Sequence, residues 1–197
     1  MTKTKQKSLF WALLCCLLLA AVMLSACGKK PAEPETPVQP PETKTVAEQL
    51  TEQDFAKMAE AKTEFIGDHV ATGKVLSLSL LAPYNKNGME LKTTEQPYQI
   101  IVEYDIPEKE SAQYSDTDIE MMATMTAFNC FILIDNVDEV SLQVDYTGAD
   151  GSAKQFKKLW QRKDFEDMCE VDVRNMANDP NLWSTAVSAY VKEATAQ

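Results

Sequence analysis

Glu139-Val140-Ser141-Leu142-Gln143-Val144-Asp145-Tyr146 alternates without a break: Val140, Leu142, Val144 and Tyr146 fall on one side, Glu139, Ser141, Gln143 and Asp145 on the other. A period of two with one apolar side predicts a strand with one face on a core and one in water. Gly148-Ala149-Asp150-Gly151 is turn chemistry, and it leads to a return strand over residues 153–160 whose apolar contacts are Phe156 and Trp160. Lys154, Lys157 and Lys158 on that strand are expected to face the acidic side of its neighbour.

Upstream, Ile119, Met122, Met125, Phe128, Phe131 and Ile132 recur at helical spacing, widened by Met121, Ala123 and Ala127. This predicts a buried central helix, capped by Asp116 or Asp118 and ending near Asp135-Asn136. Residues 89–93 and 99–106 alternate as a second strand pair, with Ile100, Val102, Tyr104 and Ile106 inward and Thr94-Glu95-Gln96-Pro97 as the link. The polar stretch 107–117 is expected to be a loop. Residues 46–61 read as a first helix, and Asp68 opens a second that runs to Pro83. Downstream, Asp164 starts a helix containing Phe165, Met168, Cys169 and Met176, and Asp179-Pro180 starts the last one. The fold class expected is α+β: an antiparallel sheet of about four strands in two hairpins, covered on one face by helices.

The N-terminal part is built differently. Lys3, Lys5 and Lys7 precede an unbroken apolar run from Leu9 to Leu24, and Leu24-Ser25-Ala26-Cys27 closes it. That is the three-part layout of a secretion signal. The last four residues resemble the lipobox of bacterial lipoproteins. The resemblance implies a cut after Ala26 and a diacylglyceryl group on the Cys27 thiol, so residues 1–26 are expected to be a signal peptide and Cys27 the lipid attachment site. The alternative, a permanent membrane helix, is short: at about 1.5 Å per residue the apolar run reaches about 24 Å, against a hydrocarbon core of roughly 30 Å. Two acyl chains on Cys27 give lasting anchorage where one gives little. Residues 27–45 then form a tether. Five of the nine prolines lie in it, and polyproline II at about 3.1 Å per residue holds a domain up to roughly 55 Å from the bilayer. Residues 46–197 are expected to be one α+β extracytoplasmic domain.

Without residues 1–26, 171 residues remain, carrying 16 basic and 30 acidic side chains, a net charge of −14. That balance argues against nucleic acid as a partner and against lying flat on anionic lipid. With Cys27 acylated, Cys130 and Cys169 allow one disulfide, which export permits; the alternative is two buried thiols in apolar surroundings.

A second resemblance rests on Phe65-Ile66-Gly67-Asp68, on Glu90 to Tyr98, and on Leu133-Ile134-Asp135-Asn136-Val137-Asp138-Glu139-Val140. Together they resemble an uncharacterised domain of Gram-positive lipoproteins, one similar to a domain found beside membrane sensors of the BlaR antibiotic-response type. It spans residues 64–175 and implies location and fold, with no catalytic residues to carry over.

Catalytic signatures are incomplete. His69 is the one histidine, so a His-Glu-x-x-His zinc site cannot be assembled. Gly67 to Lys74 departs from a phosphate loop in glycine spacing and places Val75 where a magnesium-binding hydroxyl is required. Asp116, Asp118 and Glu120 mimic the start of a calcium loop, but Met121 and Ala127 occupy its glycine and glutamate positions. Met121, Met122 and Met125 at helical spacing read as core. No catalytic residue, cofactor or metal is assigned. The expected function is a membrane-anchored, non-catalytic binding or sensory module engaging an envelope protein or a small ligand. The alternatives are an envelope hydrolase using an acidic pair and a purely structural lipoprotein.

Overall fold

The apolar side of the quoted strand becomes the middle of a four-stranded sheet in a computed structural model that describes residues 44–196. The strands are β1 (Asn85–Lys92), β2 (Gln99–Asp105), β3 (Glu139–Thr147) and β4 (Ala153–Gln161), ordered β1-β2-β3-β4. β1 and β2 form one antiparallel hairpin, β3 and β4 the other. Between them β2 and β3 run parallel, from Gln99 opposite Glu139 to Asp105 opposite Asp145. The sheet is therefore mixed, which corrects the wholly antiparallel expectation. The reason is the connection: the residues joining β2 to β3 include a long helix, and such a crossover returns the chain to the end where β2 began.

The helices are α1 (Val46–Thr51), α2 (Phe55–Ala59), α3 (His69–Leu76), α4 (Glu108–Ser111), α5 (Asp116–Leu133), α6 (Arg162–Cys169) and α7 (Pro180–Ala194), with 3-10 turns at Ala82–Tyr84 and Val173–Asn178. α5 is the crossover and the centre of the core. Every residue from Met121 to Leu133 is buried, as expected of a helix apolar on all sides and enclosed by other elements. One side rests on β3 and β4. The others meet α1, α3, α6, α7 and the 173–178 turn. Trp183 of α7 is fully buried against the Phe55 ring of α2, with centroids 5.2 Å apart. Phe165 of α6 stacks on Phe128 at 4.9 Å and tilts against Phe131 at 5.5 Å. Helices cover only one face of the sheet: Val102, Tyr104, Leu142 and Val144 are buried, while Glu103, Asp105 and Leu159 on the other face are exposed.

Several boundaries differ from the sequence expectation, each for a local polar reason. The first helix breaks in two because the Asp54 carboxylate accepts from Lys57 N at 3.0 Å and starts α2 afresh. Asp68 caps α3 as expected, but α3 stops at Leu76, and the Ser77 hydroxyl donates to Lys74 O at 2.7 Å beyond it. The expected loop 107–117 contains α4, whose buried Ser111 hydroxyl donates to Ile106 O at 2.9 Å. α5 is capped by Ser115, with Asp118 accepting from Ser115 N at 2.8 Å in a reciprocal box. β1 begins four residues earlier than expected, and its register shifts around Gly88, at φ 81°. Met176 falls in the 173–178 turn, outside α6.

The described residues fold as one unit, and no helix among them is long and apolar enough to cross a membrane. The expected signal peptide (1–26), Cys27 and the tether as far as residue 43 lie outside the described residues.

Candidate functional site

Polar side chains gather at both ends of the parallel β2–β3 pair, and the two ends serve different purposes. At the starting end, α5 hands over to β3 through Leu133-Ile134-Asp135-Asn136-Val137-Asp138. Thr63 N donates to Leu133 O at 2.8 Å and Asp135 N to Thr63 O at 3.0 Å. Asn136 Oδ1 accepts from Ile66 N at 2.7 Å, and Asp138 Oδ2 from Tyr98 N at 2.8 Å. The Arg162 guanidinium closes the knot. It donates to the carbonyls of Phe131, Ile134, Asp135 and Val137 at 2.5–3.1 Å and sits 5.6 Å from the Phe131 ring. A cation on the last carbonyls of α5 also opposes the negative end of the helix dipole. Burial lowers the guanidinium from its ordinary pKa. The Asn136, Asp138 and Arg162 side chains are committed to main-chain partners, while the buried Asp135 Oδ1 makes no hydrogen bond and is offset by Lys62 Nζ 3.3 Å away. Their role is architectural.

At the finishing end, the parallel register sets Asp105 directly beside Asp145 on the bare face. Like charges opposed across strands repel, and Lys86 of β1 answers them, its Nζ 3.8 Å from Asp105 Oδ2 and 3.7 Å from Asp145 Oδ2. Asp145 Oδ1 also accepts from Gln155 at 2.7 Å and Gln143 at 3.4 Å. A cleft of about 410 Å³ opens here, lined by Asp105, Glu108, Asp145, Tyr146, Lys154 and Gln155. On its rim Lys154 reaches Asp116 at 2.8 Å and the Tyr146 hydroxyl donates to the same carboxylate at 3.0 Å. Lys154, and then Tyr146, hold the Asp116 carboxyl below its usual range, and Asp116 in turn raises the Lys154 ammonium. The arrangement is a solvent-open carboxylate pair joined by one lysine, suited to exchanging that lysine for an outside cation or hydrogen-bond donor.

The sequence pattern of a domain of unknown function, DUF4825, matches residues 58–158, just over half of the chain. The chain belongs to the DUF4825 family. No curated protein and no solved structure matches it. The match begins before residue 64 and stops in β4, short of residue 175. The DUF4825 segment thus contains the whole β1-β2-α5-β3 arrangement and the finishing end just described, while Arg162, which closes the starting end, lies beyond it. α1, α6 and α7 lie outside it and supply Leu50, Phe165 and Trp183 to the same core.

Within the DUF4825 segment the other residues singled out by sequence are placed apart. His69 is exposed at the start of α3, its Nδ1 3.0 Å from Gly67 O. Asp116 turns to Lys154, Asp118 to Ser115, and Glu120 to Lys158 at 3.8 Å, so the three acids diverge. Among the described residues no group of three or more His, Cys, Asp or Glu is placed to hold a metal ion. Met121, Met122 and Met125 are buried in α5. Cys130 and Cys169 are both free thiols, so the bridge allowed by the sequence is not formed. Cys130 is enclosed in α5, where burial pushes its thiol up to about 12, and Cys169 ends α6 half-buried. Lys154 and Lys158 pair with α5, and only Lys157 faces the bare side, so the lysines do not answer the acidic side of β3 as a group.

Sequence reasoning missed Lys86, Asp105 and Asp145 as a set. Each is unremarkable in its own strand, and only the three-strand register brings them together.

Proposed function

We propose that this DUF4825 protein is a non-catalytic binding module, carried on the outer face of a cell membrane by a lipid on Cys27. The observation that carries the binding part is the bare sheet face ending in the Asp105–Lys86–Asp145 bridge. It is an open, charged surface on a rigid sheet, of the kind a partner engages by displacing an internal ion pair. The location rests on Leu24-Ser25-Ala26-Cys27 after a basic start and an apolar run. The partner class is an envelope protein, or a small ligand, that presents a cation. A family link to BlaR-type sensors would make the module the part that reports on the cell exterior.

Cross-linking in intact cells, followed by intact-mass analysis of the captured chain, tests both parts. The expected result is a chain beginning at Cys27 with a diacylglyceryl addition, cross-linked to a partner that Asp105→Arg abolishes. An uncut precursor in the cytosol would refute the anchor. A partner unaffected by Asp105→Arg would refute the sheet-face site.

One observation favours a second reading. The Asp105 and Asp145 oxygens are separated by at most the sum of their two distances to Lys86 Nζ. That overlaps the carboxyl separations of glycoside hydrolases, about 5–5.5 Å or 6.5–9.5 Å. A general acid of that class sits in a desolvated pocket, whereas both these side chains face solvent, which is why binding is preferred. Turnover of peptidoglycan by the purified chain, lost in both Asp105→Asn and Asp145→Asn, would establish the hydrolase instead.

A further inference from the structure

β1 makes an excursion that its neighbour does not follow. Asn85 lies opposite Tyr104 and Met89 opposite Val102, so Lys86, Asn87 and Gly88 stand against the single residue Glu103, outside the regular register. An insertion of this kind leaves backbone groups unpaired and bends the strand. All four residues from Asn85 to Gly88 are exposed. Gly88 is at φ 81°, and a Cβ there would meet nothing within 4 Å. β1 is also an edge strand, so water reaches the stretch from its free side.

Asn87-Gly88 is the one asparagine-glycine pair in the chain. With no Cβ on Gly88, its nitrogen meets little hindrance in approaching the Asn87 Cγ. Asn175, Asn178 and Asn181 are also exposed, but Met176, Asp179 and Leu182 follow them, and those side chains hinder the same approach. Asn129 is buried, and Asn136 is held through its Oδ1 by Ile66 N at 2.7 Å. Asn85 has a different part. Its Oδ1 accepts from Gly88 N at 2.6 Å, the nitrogen that stands next to the Asn87 carboxamide in the chain. That nitrogen is therefore held by the side chain of an exposed residue.

We propose that Asn87 is a self-modification site and that Asn85 is the latch that sets its rate. The Gly88 nitrogen gives up its proton to a solvent hydroxide and bonds to Asn87 Cγ. The Cγ–Nδ2 bond breaks, the departing nitrogen takes a proton from water and leaves as ammonia, and a succinimide ring remains. Water then opens the ring at Cγ, leaving aspartate, or at the main-chain carbonyl, leaving isoaspartate. Either product carries a carboxylate where the chain had a neutral amide. Residue 87 stands one Cα spacing, about 3.8 Å, from Lys86, inside a screening length of about 8 Å at physiological salt. The new charge therefore competes with Asp105 and Asp145 for the Lys86 ammonium. The site goes beyond the binding reading and stands whether or not a partner uses the sheet face.

The test holds the full chain at mildly alkaline pH, samples it over days and reads it by peptide mapping, with an isoaspartate methyltransferase scoring isoaspartate. Asn87 is expected to convert ahead of Asn175, Asn178 and Asn181. Asn85→Ala frees the Gly88 nitrogen and should speed conversion about fivefold. Asn85→Asp, whose carboxylate is the stronger acceptor, should slow it several-fold. In concentrated urea, where the latch is lost, the parent chain and both variants should convert at one rate. In the converted chain the amide resonances of Asp105 and Asp145 are expected to move. Asn87 converting no faster than the other exposed asparagines, an Asn85→Ala chain that is folded by circular dichroism and no faster, rates that still differ in urea, or unmoved Asp105 and Asp145 resonances after conversion would each overturn the proposal.

Discussion

Arg162 makes five hydrogen bonds to four main-chain carbonyls at the end of α5. Arg162→Ala leaves those acceptors without their donor, and urea unfolding should show a loss of about 3 kcal/mol. Arg162→Lys should recover only a minor part, since one ammonium cannot span the four positions of the fork. Cys130 gives a second prediction at this scale. Its thiol is ordinary when unfolded, near 9, and raised to about 12 when folded. The neutral form is the one the fold keeps, so this contribution is complete below pH 9 and is lost as pH climbs from 9 towards 12. Between pH 8 and 10.5 the unfolding free energy should fall by about 2 kcal/mol on this account. Cys130→Ala should show a correspondingly flatter profile. Iodoacetamide should modify Cys169 in the native chain and Cys130 only after unfolding.

At the scale of elements, α5 depends on its reciprocal Ser115–Asp118 cap, and Ser115→Ala should cost about 1 kcal/mol in thermal or urea unfolding. β3, β4, α5 and α7 were legible because each repeats a period over enough residues for burial to dominate: Val140, Leu142 and Val144, or Met121 to Leu133, leave no other face to hide. What the periods did not carry was partnership. Nothing within residues 99–105 or 139–147 says that they lie side by side in the same direction, because that follows from the intervening crossover. The Asp105–Lys86–Asp145 bridge was hidden for the same reason. Asp54, Ser77 and Ser115 moved helix ends by hydrogen bonds too local to register in a hydrophobic pattern. Asp68 and Asp179 sit immediately before clear helical runs, so their caps could be read.

For the whole molecule, residues 44–197 hold 27 acidic and 14 basic side chains, a net charge of −13. Self-repulsion at that charge opposes compaction. Raising salt from about 10 mM to 500 mM at pH 7 should therefore raise the melting temperature, as the screening length falls. Calorimetry at several salt concentrations checks the sign. Acid acts the other way through the ion pairs. Asp172 is lowered chiefly by Arg174, and Asp116 by Lys154. Their contribution is present above the ordinary carboxyl value of 3.8 and disappears as pH falls below it. Stability should hold down to about pH 5 and decline below pH 4, with Asp116, largely exposed and screened by solvent, adding little.

The same-direction pairing of β2 with β3 also sets an order of assembly. Each hairpin can zip from its own turn, but the seam between them joins residues forty apart, such as Gln99 and Glu139. Its closure has to bring those distant segments together, and such distant pairings slow folding. A nascent or truncated chain ending before Glu139 would expose the inner edge of β2 as an open template for neighbouring chains. The span from Ile106 to Asp138 is thus the interval in which this polypeptide is most vulnerable to misassociation.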